Sequence, residues 1–288
     1  MTVADRGERA ARRAARRQSR IPTLFGLTGG LIVGVLICGA VFAPWLAPYD
    51  PTVRVATPFL PPSADHLLGT NDIGQDLLSE MIFGARVSLA VGLVAATVAL
   101  LIGTTVGVVA GYYPRRLGSA MMRGVDVILI LPFLPLLIVL AAYLGRSLLN
   151  TIVVIGVLIW AEPARIIRSQ VLSLRSREYV LAARSMGAPD RWTILRHIVP
   201  RTGLLATGSF VRAVSNAILL EAALSFLGLG DPIQKSWGST LFWAQARGAF
   251  LTPAWKWWVM PPGLLIMLAS LGFALIAFSL EERINPRL

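Results

Sequence analysis

Four side chains that could bind a metal ion lie close together in the polar stretch 66–80. They are one imidazole and three carboxylates, which are ligand types that divalent cations use in proteins. The four residues are His66, Asp72, Asp76 and Glu80. No pair among them has a convincing ligand spacing, so a capped loop that leads into the next helix is the favoured interpretation. A metal site is the less favoured alternative.

Sequence motifs of catalytic sites are absent from this chain. It contains no G-x-x-x-x-G-K-[ST] phosphate loop, and no Gly is followed by Lys. It also lacks G-x-S-x-G, H-E-x-x-H and C-x-x-C. The single cysteine, Cys38, can form no internal disulfide and lies in an apolar block, where packing is its expected role. The sequence therefore predicts no catalytic residue, metal or cofactor in this chain.

Several ionisable residues lie inside or at the ends of long apolar blocks. Charged side chains are costly in lipid, and they mark a transport path or an ion pair between helices. For most of them, snorkelling or pairing between helices is favoured; these are Asp126, Glu162, Arg165 and Arg168. Two prolines interrupt another block and should bend it. The candidates for a translocation path are Pro132, Pro135, Arg212, Asn216 and Glu221.

The composition is that of a membrane protein. Of the 288 residues, 55% are hydrophobic and only 15% are charged, whereas a soluble domain of this size carries about 25% charged residues. The net charge of +12 could indicate nucleic-acid binding, but the basic residues separate apolar blocks instead of clustering on a soluble module. The lipid membrane is therefore an expected partner, and nucleic acid is not.

Six apolar blocks are long enough to cross a bilayer as helices. They lie at 23–46, 87–112, 121–145, 150–170, 203–227 and 258–280. A cleaved signal peptide is the alternative for the first block. Its apolar core is longer than the roughly 7–15 residues of such signals, and Pro44 spoils the cleavage site after Ala43. The sequence therefore predicts an all-α integral membrane protein with six transmembrane helices.

Basic residues are distributed unequally between the two sides of this predicted bundle. Twenty of the 27 lysines and arginines lie on the side of the termini, and six lie on the opposite side. The positive-inside rule then predicts that both termini are cytoplasmic. A disordered basic tail at 1–22 is expected to contact anionic lipid headgroups. A first transmembrane helix at 23–46 and an extracytoplasmic segment at 47–83 follow. The remaining residues, 84–288, form a five-helix core with an external loop at 228–257, and a short helix is expected in that loop at Ser239–Phe250.

The basic segment 176–201 has the pattern of two short helices between two apolar blocks. Ser176 can cap the first helix, and Gly187 lies where a helix end favours a left-handed residue. The second helix is expected to begin at Pro189 and to end at Pro200. Its apolar positions at i, i+3 and i+7 are Trp192, Leu195 and Val199. Nothing in the chain covers this apolar face, so we expect it to dock onto another protein.

This segment resembles the cytoplasmic EAA loop of ABC-importer permeases, in which Glu-Ala-Ala precedes a Gly and then Ile-x-Leu-Pro. It follows more closely the version found in the peptide-importer branch, E-Y-V-x-A-A-R-x-x-G-A…R-H-I-x-P. The residues that the resemblance assigns to ATPase coupling are Glu178, Tyr179, Ala182, Ala183, Gly187, Ala188, Trp192, His197 and Pro200.

Other stretches resemble the same branch. Residues 66–89 resemble its signature H-x-x-G-T-D-x-x-G-R-D-x-x-S-R…G-A-R-x-S-L. Asn71, Gln75 and Glu80 depart from that signature, so the ion pairing of the family is not carried over to this chain. Residues 221–268 resemble the E-A-A-L-S-F-L-G-L-G…P-x-W-G and W-W…P-G-L-x-I-M-L runs. The resemblance therefore extends over most of the chain.

The resemblance implies a type I ABC-importer fold and the role of a C-type permease subunit in a dipeptide or oligopeptide importer of the bacterial cell membrane. Such a subunit forms a heterodimer with a second permease, and it works with two ATPase subunits and an extracytoplasmic substrate-binding protein. ATP and magnesium would bind to the ATPase subunits, so this chain would be non-catalytic.

Other functions remain open at this point. The nearest is the same type of importer for nickel complexes, glutathione or another small solute, because the binding protein largely chooses the cargo. A membrane enzyme would need a clustered catalytic set within the spans, and the sequence contains none. A membrane scaffold or sensor would need a soluble output domain, and no segment is long enough for one.

Overall fold

The computed structural model describes residues 23–284, so the basic tail at 1–22 and the terminal residues 285–288 lie outside it. All the secondary-structure elements that it defines in this range are helical. The helices are α1 Thr23–Val41, α2 Ala43–Leu46, α3 Leu77–Tyr112, α4 Arg116–Ile130, α5 Phe133–Leu144, α6 Leu148–Ile159, α7 Ala161–Arg175, α8 Glu178–Ser185, α9 Asp190–Thr193, α10 Val199–Phe226, α11 Trp237–Ala246 and α12 Met260–Ile284. Two π-turns, Ile194–Ile198 and Trp255–Val259, precede α10 and α12.

The described residues contain four helical segments that are long and apolar enough to cross a membrane. They belong to α1, α3, α10 and α12, the last together with its preceding π-turn. Two further pairs pass the same test but are bent, α4 with α5 by 90° and α6 with α7 by 40°. Counting each bent pair as one span gives the six that the sequence predicts.

The 90° bend falls at Leu131 and Pro132, where both residues have extended backbone angles. Pro132 precedes α5 and has no N–H with which to continue α4. Pro135 lies in the first turn of α5, where its missing N–H would have had no helical partner. The predicted interruption is therefore present, with Pro132 at the break and Pro135 in the first turn after it.

Helix α3 begins at Leu77, well before the apolar block from which a span is predicted. Asp76 caps it, because its Oδ2 accepts hydrogen bonds from the backbone N–H and the hydroxyl of Ser79, both at 2.8 Å. Its first two turns, which contain Ser79 and Glu80, lie within the segment 47–83. The sequence predicts that segment to be extracytoplasmic, so the helix begins earlier than the predicted span.

Glycines let α7 pack closely on α3 at the centre of the bundle. A Cβ atom on Gly103 would lie 2.8 Å from the carbonyl oxygen of Trp160, and one on Gly111 would lie 2.6 Å from Cβ of Val171. With Gly107 between them, these residues form a small-residue stripe with a spacing of four, which brings helix backbones together in membranes. The close packing fixes α7, and with it the segment that follows, relative to α3.

The segment 176–201 differs from its predicted form at both ends. Ser176 does not cap α8, because its hydroxyl donates to the carbonyl of Ser173 at 3.0 Å and the N-cap is Arg177. Pro200 does not end the second helix either. The π-turn joins α9 to α10, and Pro200 lies in the first turn of α10, where a wider preceding turn accommodates a residue without an N–H.

The segment 228–257 contains the short helix that the sequence predicts, but with different bounds. It is α11, Trp237–Ala246, and not Ser239–Phe250. Ser236 and Ser239 form a reciprocal capping box at its start. Gly248, with a φ of +71°, directs the chain away after its end.

Candidate functional site

The loop between α7 and α10 carries the residues that the sequence assigns to coupling. Helix α8 buries Val180 and Ala183 against the ends of the bundle. Gly187 has a φ of +81°, the left-handed conformation that the sequence predicts. The N–H of Gly187 donates to the carbonyl of Arg184, and that of Ala188 donates to the carbonyl of Ala183, both at 3.0 Å. These bonds satisfy carbonyls at the end of α8 and turn the chain towards α9.

Asp190, the first residue of α9, attaches the loop to the end of α3. Its Oδ1 accepts a hydrogen bond from Tyr112 Oη at 2.7 Å, and its Oδ2 accepts one from Tyr113 Oη at 2.9 Å. These two bonds lower the pKa of the Asp190 carboxyl. The ionised carboxylate is thus the form that holds the loop in place.

The predicted coupling residues lie together but differ in exposure. The imidazole of His197 packs between the rings of Tyr179 and Trp192, at centroid distances of 5.8 and 5.0 Å. Ala183 is buried, and Tyr179, Ala188 and His197 are half-buried. The exposed ones are Glu178, Ala182, Gly187, Trp192 and Pro200. Of the apolar face predicted for the second helix, Trp192 and Leu195 are exposed, whereas Val199 packs into the core.

An open groove of about 330 Å³ lies in the bundle between α4, α5, α6, α7 and α10. Two of the predicted path residues, Arg212 and Asn216, line it, and Glu162 of α7 lines it too. Arg212 forms an ion pair with Glu281 of α12. The Ser209 hydroxyl also lines the groove, is buried, and has no hydrogen-bond partner among the described residues.

The other predicted path residues do not line this groove. Pro132 and Pro135 are not among its lining residues, although Phe133, which lies between them in the sequence, is. Glu221 is buried between α3 and α10, where its carboxylate accepts hydrogen bonds from Ser88 Oγ at 3.0 Å and Ser225 Oγ at 2.7 Å. Glu221 therefore joins α10 to α3 through hydrogen bonds. This buried position does not support the prediction that Glu221 lies on a translocation path.

Comparison with known proteins identifies the family. A profile of the family described as binding-protein-dependent transport system inner membrane component matches residues 103–288. A second profile, described as the N-terminal TM domain of oligopeptide transport permease C, matches residues 25–65. The chain belongs to this family of inner-membrane transport components. It is therefore an inner-membrane permease subunit, as the resemblance implies.

Relatives of this permease cover nearly all of it. The di/tripeptide transport system permease protein DppC of Pseudomonas aeruginosa is 39% identical over 273 residues, which are 91% of this chain and 88% of that protein. The oligopeptide transport system permease protein OppC of Bacillus subtilis is 34% identical over 91% of this chain and 85% of its own. A probable D,D-dipeptide transport system permease protein, DdpC of Escherichia coli, is 34% identical over 91% of this chain and 87% of its own.

The predicted pairing of ionisable residues between helices is confirmed for Arg165 and Asp126. Arg165 of α7 and Asp126 of α4 form an ion pair at 2.6 Å, and both side chains remain about half exposed. This contact connects α4, which precedes the 90° bend, to α7, which precedes the loop 176–201. Neither residue lines the groove.

Of the four side chains considered as metal ligands, two contact each other and the other two pair with basic side chains. His66 Nδ1 lies 3.0 Å from Asp76 Oδ1, and Asp72 pairs with Arg247 at 2.8 Å. Glu80 pairs with Lys235 at 2.5 Å. No group of three metal-ligating side chains comes together within residues 23–284. Asp76 caps α3, as the capped-loop interpretation expects.

Sequence reasoning missed several residues that position the candidate site. Tyr112, Tyr113 and Asp190 attach the loop, but side chains 77 or more residues apart give no local signal of contact. The glycines at positions 103, 107 and 111 could have been found, because their regular spacing is visible in the chain.

Proposed function

We propose that this chain is one of two permease subunits of an ATP-driven importer of short peptides, and that the loop 176–201 couples it to an ATPase subunit. Peptide cargo is supported by the names of its relatives, which are transport permeases for di- and tripeptides, oligopeptides and, probably for one of them, D,D-dipeptides. ATP hydrolysis is assigned to partner chains, because this one has no phosphate loop.

The observation that carries the coupling proposal is the continuous helical path from the loop to the groove. Helix α9, its π-turn and α10 follow one another without a break from Asp190 to Phe226. Trp192 lies exposed at the beginning of this path, and Arg212 and Asn216 lie in the groove farther along it. A displacement of the loop by an ATPase subunit would therefore be transmitted directly to the groove wall.

The surface of the loop suits a protein partner. Four large apolar side chains project from α8, α9, the turn between them and the π-turn that follows, with exposures of 48%, 81%, 48% and 57%. They are Leu181, Met186, Trp192 and Leu195. Exposed apolar residues surrounded by polar ones mark protein interfaces. The seat on the ATPase subunit would cover them, with Glu178 and the exposed arginines at the rim.

The groove would form half of the translocation path. Its charged lining is unusual for a surface that faces lipid, because Arg212 and Glu162 would be costly there. A second permease placed against the groove would enclose it and supply the other half. Because the substrate-binding protein largely selects the cargo, the groove needs only to pass small polar solutes.

Reconstitution tests the proposal. The chain is co-expressed with a second permease, two ATPase chains and a binding protein from the same organism, and the purified assembly is placed in liposomes. We expect ATP-dependent uptake of radiolabelled di- and tripeptides that requires the binding protein. Uptake of glutathione or nickel complexes in place of peptides would reassign the cargo. Failure of any ATPase chain to co-purify with this permease would overturn the coupling role.

A further inference from the structure

Helix α4 carries an exposed face whose character changes along its length. The residues at i, i+3, i+4, i+7, i+11 and i+14 lie on one side of a helix. They are Arg116, Ser119, Ala120, Arg123, Val127 and Ile130, and all six are exposed. The opposite side, with Gly118, Met122 and Val125, is buried against the bundle. The exposed face is therefore basic in its first two turns and apolar in its last two.

The basic end forms a pocket whose described lining contains no carboxylate. Arg115, Arg116 and Arg123 line it together with Ser119 and Ala120. Within residues 23–284, none of the three arginines forms an ion pair. The carboxylate on the same helix, Asp126, is paired with Arg165. Three guanidinium groups that converge on one pocket match the oxygens of a phosphate, which they can bind in pairs.

The apolar end carries two strongly exposed aliphatic side chains. Val127 is 59% exposed and Ile130 is 81% exposed. From Arg116 to Ile130 the helix rises about 21 Å at 1.5 Å per residue, so the basic end and the apolar end of the face are well separated. A phosphate at the first turns therefore leaves enough length for an acyl chain to lie along the last turns.

We propose that this face binds an anionic phospholipid of the leaflet that the charge distribution predicts to be cytoplasmic. The headgroup phosphate lies between Arg115, Arg116 and Arg123, within reach of the Ser119 hydroxyl, and one acyl chain packs on Val127 and Ile130. An acidic protein surface would match the arginines but not the exposed aliphatic residues on the same face. Basic pockets between spans at this membrane surface are suited to anionic headgroups.

Native mass spectrometry of the full chain in detergent tests the site. The probes are phosphatidylglycerol and phosphatidylcholine with identical acyl chains. We expect the chain to bind phosphatidylglycerol more tightly than phosphatidylcholine. This preference should fall about 100-fold in the variant Arg115→Gln/Arg116→Gln/Arg123→Gln, because each basic residue near an anionic surface raises the affinity by a factor of about five. The variant Arg115→Lys/Arg116→Lys/Arg123→Lys keeps most of the preference, which also shows that changes at these exposed positions leave the chain folded.

A matched control removes equal charge elsewhere on the same side. The exposed residues for it are Arg177, Arg191 and Arg196, each changed to Gln. This control should retain the preference, and an equal loss in it would overturn the site, because binding would then depend only on net charge. Retention of the preference by the Gln variant at positions 115, 116 and 123 would also overturn it. Displacement of the lipid when the second permease assembles would assign the face to that protein instead.

Discussion

Lys235 Nζ lies 2.5 Å from Glu80 Oε1, although the two residues are 155 positions apart in the chain. Glu80 belongs to the first turn of α3 and is 3% exposed, and Lys235 lies in the loop before α11. The same ammonium group donates to the Pro51 carbonyl at 3.0 Å and to the Gln75 side-chain oxygen. One lysine thus joins three segments of the chain.

Replacing Lys235 by Met should destabilise the permease strongly. The substitution leaves a buried carboxylate at Glu80 without its positive partner, and breaking a buried ion pair in this way costs about 3–5 kcal/mol. Thermal unfolding of the purified chain in detergent measures the loss. The matched control is the exchange Glu80→Lys/Lys235→Glu, which should recover most of the stability. An exchange variant no more stable than Lys235→Met would show that the pair itself does not hold these segments together.

This pair also shows what the sequence can and cannot predict. The six apolar blocks and the left-handed Gly187 follow from local signals, namely hydropathy and the chemistry of helix ends. The signature departures at Asn71, Gln75 and Glu80 suggest that charges are missing. In the fold, Lys235 compensates for them, with Asn71 Nδ2 donating to Glu80 Oε1 at 2.6 Å. A contact between distant parts of the chain leaves no trace in a single sequence.

The helix bounds show a similar limit. The sequence predicts a bend near Pro132, but its angle of 90° depends on how α4 and α5 pack on their neighbours. It also predicts that Pro200 ends a helix, since proline usually does. The π-turn at Ile194–Ile198 overrides that expectation. The groove is lined by side chains of five helices, so local signals could not predict it.

Removing the carboxylate of Asp190 should loosen the loop 176–201. Asp190→Ala deletes both hydrogen bonds from Tyr112 and Tyr113, and hydrogen bonds to charged groups contribute about 1.5–3 kcal/mol when buried. Because Asp190 is partly exposed, we expect about 1 kcal/mol, or exchange about five times faster at the α8 and α9 amides. Hydrogen–deuterium exchange measures this. Unchanged exchange in Asp190→Ala would show that the tyrosines do not anchor the loop.

The same anchor has a defined pH dependence. The pKa of Asp190 is lowered in the fold, so its contribution to stability is complete above the ordinary aspartate pKa of about 3.9. It is lost only as the pH falls through the lower, folded value. Amide hydrogen exchange in α8 and α9 should therefore show no loosening due to Asp190 between about pH 5 and 8. A transition in that range that Asp190→Ala abolishes would contradict this assignment.

Cysteine labelling should establish the orientation in the membrane. The charge asymmetry predicts that Ser185 is cytoplasmic and that Ala64 and Gln234 are external. All three are exposed, so single cysteines at these positions, in a Cys38→Ser background, can react without disturbing the core. In intact cells, an impermeant thiol reagent that reaches the periplasm should label positions 64 and 234. Position 185 should react only after lysis, and its labelling in intact cells would reverse the predicted orientation.

Gly187→Val should abolish uptake while leaving the permease in the membrane. The left-handed backbone at Gly187 costs a residue with a Cβ atom roughly 1–2 kcal/mol, and a β-branched residue is especially unsuited to it. No atom outside its chain neighbours lies within 4 Å of a Cβ placed there. Strain and bulk would therefore act on the loop and its seat on the ATPase subunit, not on the spans.

Two further substitutions separate these effects. Gly187→Asn should retain more uptake than Gly187→Val, because Asn tolerates the left-handed region better. Gly187→Ala adds backbone strain with little bulk. The uptake that it retains, compared with that of the Val and Asn variants, shows how much of the loss comes from contact with the partner. Membrane amount, co-purified ATPase and peptide uptake are measured for each variant. Loss of the permease from the membrane would indicate a structural role alone. If Gly187→Val imports peptides as well as the parent does, the loop 176–201 is not the coupling element.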